Sequence, residues 1–573
     1  MCCAKDRGAG MKNRVAVSIV FIASLQGTVG LAQTIPPNAS PSRIEDRFKA
    51  PSVSKSQPDI AISPQDTILP SEADSKIRFT LKGVVVSGST VFKPGDLSSA
   101  YQSLVGKEIS LADLYHVRDE ITAKYRRSGY LLSRAIIPPQ KIADGVAQIQ
   151  VVEGYIAKVT VEKDVRDRRH LVEAMARHIT QSHPLKASDL ERYILLISDI
   201  PGIHVRTVIK PSTDHTGAAE LVVICERKPL DAQFSVDNHG SQAIGPTQAS
   251  LSVDFNSLLA FDERTTLTVA TAIPTRELAY LAIKHDEILT SQGVTLSIRG
   301  SYNRSKPGDT LAPLTPFGSG ETVSATIQAP IIRRRSHSLW VNAGFTYENS
   351  RLDLLGIRFN EDRLRYISGG LNYDFADTVL GYRHPGRTVA HFQVNHGLNV
   401  LNATETGSPD LSRANGHSDF TTLVADVSRE QALIPHFGLA LSGSGQLATT
   451  PLLISQKFGL GGFRFGRGYE PSELTGDNGL GGSIEARFDP PWLRHTIVVP
   501  RLYAFYDVGV VWDKDPLAGA PTKQSLSSAG AGIRLAIGKY VNVELELAKP
   551  LTRDIASRGN RKVRPLFSIS ASY

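Results

Sequence analysis

Long apolar runs and cysteines are scarce in this chain of 573 residues. After the N-terminus no run of 18 or more apolar residues occurs, which excludes a bundle of transmembrane helices. A membrane β-barrel is not excluded, because its alternating strands dilute the hydropathy signal. Of the three cysteines, Cys2 and Cys3 precede the predicted signal sequence, so the mature chain keeps only Cys225 and forms no intrachain disulfide. We expect Cys225 to be a small buried apolar residue.

Patterns typical of enzymes and of nucleic-acid surfaces are also missing. The 15 histidines show no metal-ligand spacing, and neither a Gly-x-Ser-x-Gly elbow nor a phosphate-binding loop occurs. Glu544 and Glu546 share one strand face, a spacing that suits lumen charges better than an acid/base pair. The formal charge is +8, but the 64 Lys and Arg are scattered among 56 acids. We therefore predict no enzymatic activity, no cofactor, no metal site and no nucleic-acid partner.

The N-terminus has the organisation of a secretory signal. A basic segment at 11–14 precedes an apolar segment at 15–25, and Gly30 and Ala32 supply the small residues of a cleavage site. We predict a signal peptide over 1–32. The true start is either Met1 or Met11, and the position of the basic segment favours Met11.

Residues 33–76 are rich in Pro, Ser and Asp and predict a linker. Ser42 and Glu45 have the spacing of a capping box, and Ile44 and Phe48 lie four residues apart, which predicts one short helix.

Two stretches of similar length, 77–153 and 154–229, predict the same order of elements, β-α-α-β-β. In the first, we expect a strand over 79–86 and a helix over 93–104, and apolar residues at helical spacing over 110–128 predict an amphipathic helix. Each module would present a three-stranded sheet with an edge that can accept an extended peptide. We predict a binding role for both, and the alternative is that they are spacers.

The texture changes over 230–573, where short alternating segments are separated by Gly, Asn, Asp, Ser and Pro clusters. Within 541–547, for example, apolar residues occupy one face while Glu544 and Glu546 occupy the other. Charges inside and apolar residues outside are the inverse of a soluble β-protein and indicate a barrel around a wet lumen. These 344 residues allow about 16 strands of roughly 10 residues each.

The most informative stretch, 458–469, carries five glycines with aromatics between them and two arginines. Glycine at this density lets the backbone turn tightly and approach other surfaces. Downstream, 502–510 alternates so that Asp507 lies on the face opposite to the apolar one. If the apolar face meets lipid, Asp507 points into the lumen, where Arg467 can meet it in a charge-assisted contact. The alternative is a static lumen salt bridge of modest energetic worth.

These motifs resemble those of the two-partner secretion translocators, the hemolysin secretion/activation family within the BamA-like outer-membrane superfamily. The resemblance extends over 77–573 and includes the Pro-Pro-Gln segment at 138–140 and the Val-Val-Glu-Gly segment at 151–154. It implies a mainly β fold: a transmembrane antiparallel β-barrel of about 16 strands over 230–573, preceded by two periplasmic α+β POTRA domains at 77–153 and 154–229. The implied site residues are a translocation loop and its lumen partners, Gly466, Arg467, Gly468 and Tyr469 with Phe505 and Asp507. The resemblance also implies that the short helix within 33–76 plugs the barrel, and the alternative is that this segment is a mobile linker.

The implied function is an outer-membrane translocator that binds a large secreted partner in the periplasm, exports it through the barrel and in some cases activates it. The partner would be of adhesin, hemolysin or toxin type, and outer-membrane lipid and the barrel assembly machinery are the other expected partners. The alternative function is an outer-membrane protein assembly factor of the same superfamily. A diffusion porin would have no use for the two modules.

Overall fold

The computed structural model describes residues 36–48, 60–62, 74–142, 144–163, 170–212, 215–274, 277–493 and 497–573. The predicted signal peptide lies outside these residues, as does much of the predicted linker. Within the described part, a short helix α1 (Pro41–Phe48) and a three-residue strand β1 (Ile60–Ile62) precede the first module. No helix in these ranges is both long and apolar enough to span a membrane.

The first module is a small α+β unit. Its elements are β2 (Arg78–Thr80), β3 (Gly83–Ser87), α2 (Pro94–Leu97), β4 (Glu108–Ser110), α3 (Leu111–Arg127), β5 (Arg134–Ile136) and β6 (Val146–Val152). Strand β6 lies between β3, its parallel neighbour, and β5, its antiparallel neighbour, while β2 pairs with β4. The predicted amphipathic helix over 110–128 is confirmed as α3, and Ser110 caps it by accepting a hydrogen bond from the Asp113 backbone N–H.

Two details predicted for the first module are wrong. The expected single strand over 79–86 is two strands, because the chain changes partners at Leu81 and Lys82, whose N–H groups donate to the carbonyls of Lys107 and Gly145. The expected helix over 93–104 is a single α-helical turn followed by two 3₁₀ turns. The low helix propensity of the Pro-Gly and Ser-Ser pairs in this segment explains the break.

Glu153 holds the turn after β3 in place. Its carboxylate accepts hydrogen bonds from the Thr90 and Val91 backbone N–H groups (2.7 and 3.1 Å) and from the hydroxyl groups of Thr90 and Tyr125 (2.5 and 2.7 Å). Burial opposes ionisation of this carboxyl, but the hydrogen bonds outweigh it and lower the pKa of Glu153. The same burial raises the pKa of the Tyr125 hydroxyl, so Tyr125 stays a donor.

The second module has the predicted order β-α-α-β-β, which the first module shares apart from its additional pair of strands, β2 and β4. Its elements are β7 (Tyr155–Lys163), α4 (Leu171–Thr180), α5 (Ala187–Ser198), β8 (Ile203–Pro211) and β9 (Ala218–Arg227). The sheet order is β1-β8-β9-β7, so the linker strand β1 lies parallel to β8 and covers one edge. The sequence did not predict β1. Cys225 is buried in the apolar core of this module, as expected.

Sixteen antiparallel strands close into a barrel, which confirms the predicted architecture. They are β10 (Leu230–Asp237), β11 (Gln248–Asn256), β12 (Glu263–Ala272), β13 (Leu278–Ile288), β14 (Thr295–Ser305), β15 (Phe317–Arg333), β16 (His337–Leu354), β17 (Ile357–Asp377), β18 (Gly386–Gly397), β19 (Thr421–Ile434), β20 (Phe437–Ala448), β23 (Asn478–Phe488), β24 (Val498–Trp512), β25 (Lys523–Ile537), β26 (Val541–Pro550) and β27 (Arg564–Ser572). Between β20 and β23, the short strands β21 (Phe458–Leu460) and β22 (Leu474–Gly476) pair with each other. Short 3₁₀ helices occur at Pro37–Ala39, Asp309–Leu314, Ile454–Gln456 and Pro491–Leu493.

The alternating exposure of side chains along β24 shows which face of the strand points out of the barrel and which points in. Leu502, Tyr506 and Val508 are between 38% and 48% exposed, whereas Phe505 and Asp507 are 5% and 0% exposed. The apolar face therefore points outward and the polar face inward, as predicted. The barrel closes where β27 pairs with β10, next to the terminal aromatic Tyr573.

The second module is docked on two turns of the barrel, those joining β13 to β14 and β15 to β16. Arg333 donates two hydrogen bonds of 2.8 Å to the Asp199 carboxylate just after α5, and both side chains are under 10% exposed. Ile288, at the end of β13, is part of the apolar core of the module. The second module and the barrel therefore share one core, which fixes their relative position.

Helix α1 lies inside the barrel beside β14, β15 and β16, and its apolar side chains pack against the inner face of β12 and β13. Ile44 is 2% exposed and packs in a cluster with Leu278 and three alanines, Ala270, Ala272 and Ala282. Phe48 stacks on Tyr280 with ring centroids 4.4 Å apart. The predicted shared face of Ile44 and Phe48 is confirmed.

Polar contacts complete the seat of α1. The Glu45 carboxylate lies 2.9 Å from the Arg299 guanidinium and accepts a hydrogen bond of 2.6 Å from Ser301. Arg47 pairs with Asp237 at 2.5 Å. The predicted capping box is wrong, because α1 begins at Pro41, one residue before Ser42, and Glu45 binds the barrel wall instead.

The seat of α1 is testable with Ile44→Asp. A carboxylate among Leu278 and the alanines costs about 3 kcal/mol, or about 100-fold in occupancy of the seat. We expect the conductance of the purified protein in planar bilayers to rise several-fold. Asp46→Ala, at the exposed side of the same helix, is the control and should conduct like the unsubstituted protein. Equal conductance of both variants would contradict this seat.

The Glu153 network predicts a pH dependence of the first module. Because the folded-state pKa of Glu153 is lowered, its stabilisation is complete above the ordinary pKa of about 4.3 and is lost as pH falls below it. Glu153→Gln should cost about 1–2 kcal/mol at neutral pH, and the difference should vanish in acid. Thermal unfolding from pH 7 to pH 3 measures this, with Glu120→Gln, whose side chain is 64% exposed, as control.

Candidate functional site

The connection between β20 and β23, residues 449–477, folds back into the barrel and is called the lumen loop below. Its stem is the β21–β22 hairpin, and its tip carries the Arg-Gly-Tyr motif. Gly466 has φ +96°, a conformation that side chains rarely adopt. At Gly468 a Cβ would lie 2.7 Å from the Pro550 backbone nitrogen, so only glycine allows this approach to the wall.

Arg467 meets Asp507, as the sequence predicts. Its Nη2 and Nε atoms donate to the two carboxylate oxygens of Asp507 at 3.0 and 3.1 Å. The backbone N–H groups of Arg467 and Gly466 donate to the same carboxylate at 2.9 and 3.2 Å. Asp507 is 0% exposed and also accepts a 2.7 Å hydrogen bond from Ser483. The loop tip is thus bound through its side chain and its backbone.

Two further carboxylates face Arg467, and the sequence did not identify them as its partners. Its Nη1 atom lies 2.9 Å from Glu485 on β23 and 3.4 Å from Glu546 on β26. Alternation had already put both on the inner face. Register alone does not reveal that Glu546 joins the other two carboxylates, because β26 pairs with neither β23 nor β24.

Glu485 also binds two arginines of the wall. Arg534 contacts both of its carboxylate oxygens at 2.6 and 3.1 Å, and Arg487 contacts it at 2.8 Å. Arg534 reaches Glu544 at 2.9 Å as well. The site is therefore a network of three arginines and four carboxylates rather than an isolated pair.

Aromatic side chains complete the surroundings of Arg467. The guanidinium carbon lies 3.4 Å from the ring centroid of Phe505, the other inward residue of the predicted strand motif. The Tyr469 hydroxyl donates to the Ser527 carbonyl at 3.2 Å and accepts from the Arg553 backbone N–H at 3.2 Å. Every predicted site residue thus lies at the contact between the lumen loop and the wall.

Residues around α1 also contact the lumen loop. Arg43 donates to the Lys457 carbonyl at 2.7 Å and to the Ser472 hydroxyl at 3.2 Å. Asn38 donates to the Glu470 carboxylate at 3.0 Å. The lumen loop is therefore held between the wall on one side and α1 with its preceding turn on the other.

The chemistry of this site is electrostatic. Desolvated ion pairs with hydrogen-bonded partners hold a loop in one position, and they break without any covalent change. Within the residues that the structure describes, no group of three or more His, Cys, Asp or Glu has the arrangement of a metal site.

Two protein families match this chain. Residues 79–154 match the POTRA domain, ShlB-type, and residues 221–535 match the haemolysin secretion/activation protein ShlB/FhaC/HecB. The second match covers more than half of the 573 residues. The chain belongs to the haemolysin secretion/activation protein family. As a member, it is a two-partner secretion transporter of the outer membrane, with its POTRA region in the periplasm.

Similar proteins fit this membership. The heme/hemopexin transporter protein HuxB of Haemophilus influenzae is 23% identical over 464 residues, which cover 80% of this chain and 81% of HuxB. CdiB from Escherichia coli has a similar structure, with a TM-score of 0.69 and 17% identity over 88% of this chain and 93% of CdiB. BamA from Haemophilus ducreyi, lacking POTRA domains 1–3, has a TM-score of 0.52 and 12% identity, covering 86% of this chain and 100% of that structure. These two structures share the fold of the family member described here.

Substitutions at Arg467 test its role in this transporter. Arg467→Ala takes the guanidinium away from Asp507 and Glu546, while Glu485 keeps Arg534 and Arg487, and we expect a loss of about 3–5 kcal/mol of loop anchoring. We expect secretion to fall more than tenfold while the protein stays in the membrane. Asp507→Ala should cost less, because Arg467 keeps Glu485 and Glu546. Arg467→Lys should rescue only partly, since an ammonium cannot make the planar two-point contact.

The matched control is Arg464→Ala in the same loop. Arg464 is paired with Asp426 at 2.9 Å, but its side chain is 66% exposed, so its loss should leave secretion nearly unchanged. The double variant Arg467→Ala/Asp507→Ala should cost little more than Arg467→Ala alone. Normal export by Arg467→Ala at normal membrane levels would remove the pair from the mechanism.

Proposed function

We propose that this transporter captures a large, unfolded secreted partner with its periplasmic modules and passes it through the barrel beside the lumen loop. The observation that carries the proposal is the lumen loop itself, seated inside a closed barrel by contacts that can break and re-form. No catalytic step, cofactor or nucleotide is needed, and folding of the partner outside can supply directionality. In this proposal 1–32 is a signal peptide, 77–153 and 154–229 are the two POTRA domains, and 230–573 is the barrel.

In this proposal α1 is a plug that leaves the lumen before the partner enters. Its seat supports this, because the apolar contacts of Ile44 and Phe48 are few and the charged contacts of Glu45 and Arg47 can exchange with water. Removing α1 also removes Arg43 from the lumen loop. The loop is then held by the wall alone, through Arg467.

An open sheet edge supports the capture step. Among the described residues no strand pairs with the outer edge of β3, whereas β1 covers β8 in the second module. The other edge strand of the first sheet, β5, has 3 residues against 5 in β3, and past its end the Gln140 side chain bonds the backbone N–H and carbonyl of Gln148 on β6 at 2.7 Å each. Strand β3 is therefore the edge that we assign to the partner, which would pair with it as an added strand.

The class of the partner is part of the proposal. Because the matched family is described as haemolysin secretion/activation proteins, we propose a large secreted protein of adhesin, hemolysin or toxin type as cargo, with activation accompanying export in some cases. Insertion by the barrel assembly machinery and contact with outer-membrane lipid complete the expected partners. The assembly-factor alternative is not favoured, because the family match covers the barrel of a secretion protein.

Cross-linking at β3 tests the capture step. The Val85 side chain on β3 is 54% exposed, so a photo-reactive maleimide on Val85→Cys should capture the large secreted partner while its export is under way. Val105→Cys, on the same module at 41% exposure but off this strand, is the matched control and should capture little. Equal capture at both positions would contradict pairing at β3, and absence of the secreted protein from the medium of cells with the unsubstituted transporter would contradict the cargo assignment.

A further inference from the structure

The connection between β18 and β19, residues 398–420, reaches across the outer end of the barrel. Arg413 in this loop contacts Asp477, at the end of the lumen loop, and the backbone of Lys514 and Asp515, between β24 and β25. In the barrel order, four strands lie between the loop that carries Arg413 and the connection that carries Lys514, namely β19, β20, β23 and β24. Neighbouring strands lie about 4.8 Å apart, so the loop spans a chord on the order of 20 Å.

Arg413 and Asp477 form a buried ion pair. The Nη1–Oδ1 distance is 2.6 Å, and the two side chains are 6% and 0% exposed. Nη2 of Arg413 donates to the Lys514 carbonyl at 2.7 Å. The Asp477 carboxylate accepts from the Leu452 N–H at 2.9 Å and from the Lys514 N–H at 2.8 Å. One ion pair thus ties together loop 398–420, both roots of the lumen loop and the β24–β25 connection.

Apolar packing continues around this pair. Loop 398–420 and the root of the lumen loop share a buried cluster of Leu364, Phe420, Ala448, Leu452 and Leu453. The Ile454 N–H donates to the Ser412 hydroxyl at 3.1 Å. His417 and Leu452 are paired in a parallel bridge, with the His417 N–H donating to the Pro451 carbonyl at 2.9 Å.

The opposite part of the loop is fixed to β17. Arg365 on β17 is 1% exposed and donates to the Leu401 carbonyl at 3.2 Å. Its guanidinium lies over the Tyr347 ring, 3.4 Å from the centroid. The Ser412 N–H donates to the Asp362 carboxylate at 3.0 Å. The loop is therefore anchored at both ends, like a strap across the mouth.

We propose that loop 398–420 is an exit strap and that Arg413 is the positioning residue that locks it. The role of Arg413 differs from that of Arg467. Arg467 fixes the tip of the lumen loop inside the barrel, whereas Arg413 fixes the two ends of that loop at the outer surface. A partner that leaves the barrel must separate the strap from Leu452 and Asp477. This inference rests on the export function proposed above.

A reversible cross-link tests the strap in the full-length transporter. Residues paired in a bridge have Cα atoms within disulfide range, so His417→Cys/Leu452→Cys should form a disulfide in oxidised cells. We expect export of the partner to fall at least tenfold on oxidation and to recover when a reductant is added to the same cells. The single variants, each with one cysteine, are controls and should not respond. Full export by the cross-linked form, or failure of the cross-link to form, would overturn the proposal.

A second measurement tests the lock without depending on cargo. In Arg413→Met the strap loses its ion pair, so protease added to intact cells should cut loop 398–420 at least tenfold faster. Arg351→Ala is the control: Arg351 pairs with Asp353 at the same end of the barrel and its side chain is 44% exposed, so its loss should leave the loop resistant. An equally resistant loop in Arg413→Met would refute the lock. Lack of export even by the unsubstituted protein would refute the cargo assignment. The protease result would then decide by itself whether Arg413 holds the strap in place.

Discussion

A guanidinium buried among carboxylates inside a membrane barrel is the constraint on which this structure depends. Arg467 lies against Asp507, Glu485 and Glu546, which come from three different strands. Burying such charges is costly unless every one is paired. The pairing therefore requires β23, β24 and β26 to keep their register, and it requires the lumen loop to turn at Gly466 and Gly468. The wall and the loop stabilise each other, and neither arrangement is satisfied alone.

The inner face of the barrel carries many charges, yet part of it is apolar and contacts α1. Three small residues on the inner face of β12 and β13 pack against Ile44, namely Ala270, Ala272 and Ala282. Small side chains make room for a helix, while Arg299 and Asp237 bind its charged residues. The same combination of a small apolar contact and exchangeable ion pairs occurs at the lumen loop, where Leu460 packs against Gly481 and Gly509. Both α1 and the lumen loop are therefore held by contacts that can separate without unfolding either segment. Such contacts suit the export function proposed above.

Much of this could be predicted from the sequence, because the relevant signals are local. Alternation with a period of two residues assigns Asp507 and Phe505 to one face whatever the rest of the chain does. The amphipathic stripe of α3 and the repeated order of elements in the two modules are equally local. The predictions that were wrong concerned segments whose structure depends on contacts with distant residues. The strand expected at 79–86 divides because the backbone N–H groups of Leu81 and Lys82 donate to different segments. The cap expected at Ser42 does not form, and Glu45 pairs with Arg299 on the barrel wall instead.

The sequence by itself determined the fold class, the inward face of each strand that it resolved and the identity of the residues at the loop tip. Only the tertiary structure decided which inward charges meet, that α1 rests on an alanine-lined wall, that β1 covers β8 and that Arg413 reaches Asp477. The reason is physical. Side-chain direction along a strand follows from the backbone pleat, whereas contacts across a closed barrel depend on its closure, its register and the folding of long loops, and each of these joins residues far apart in the chain.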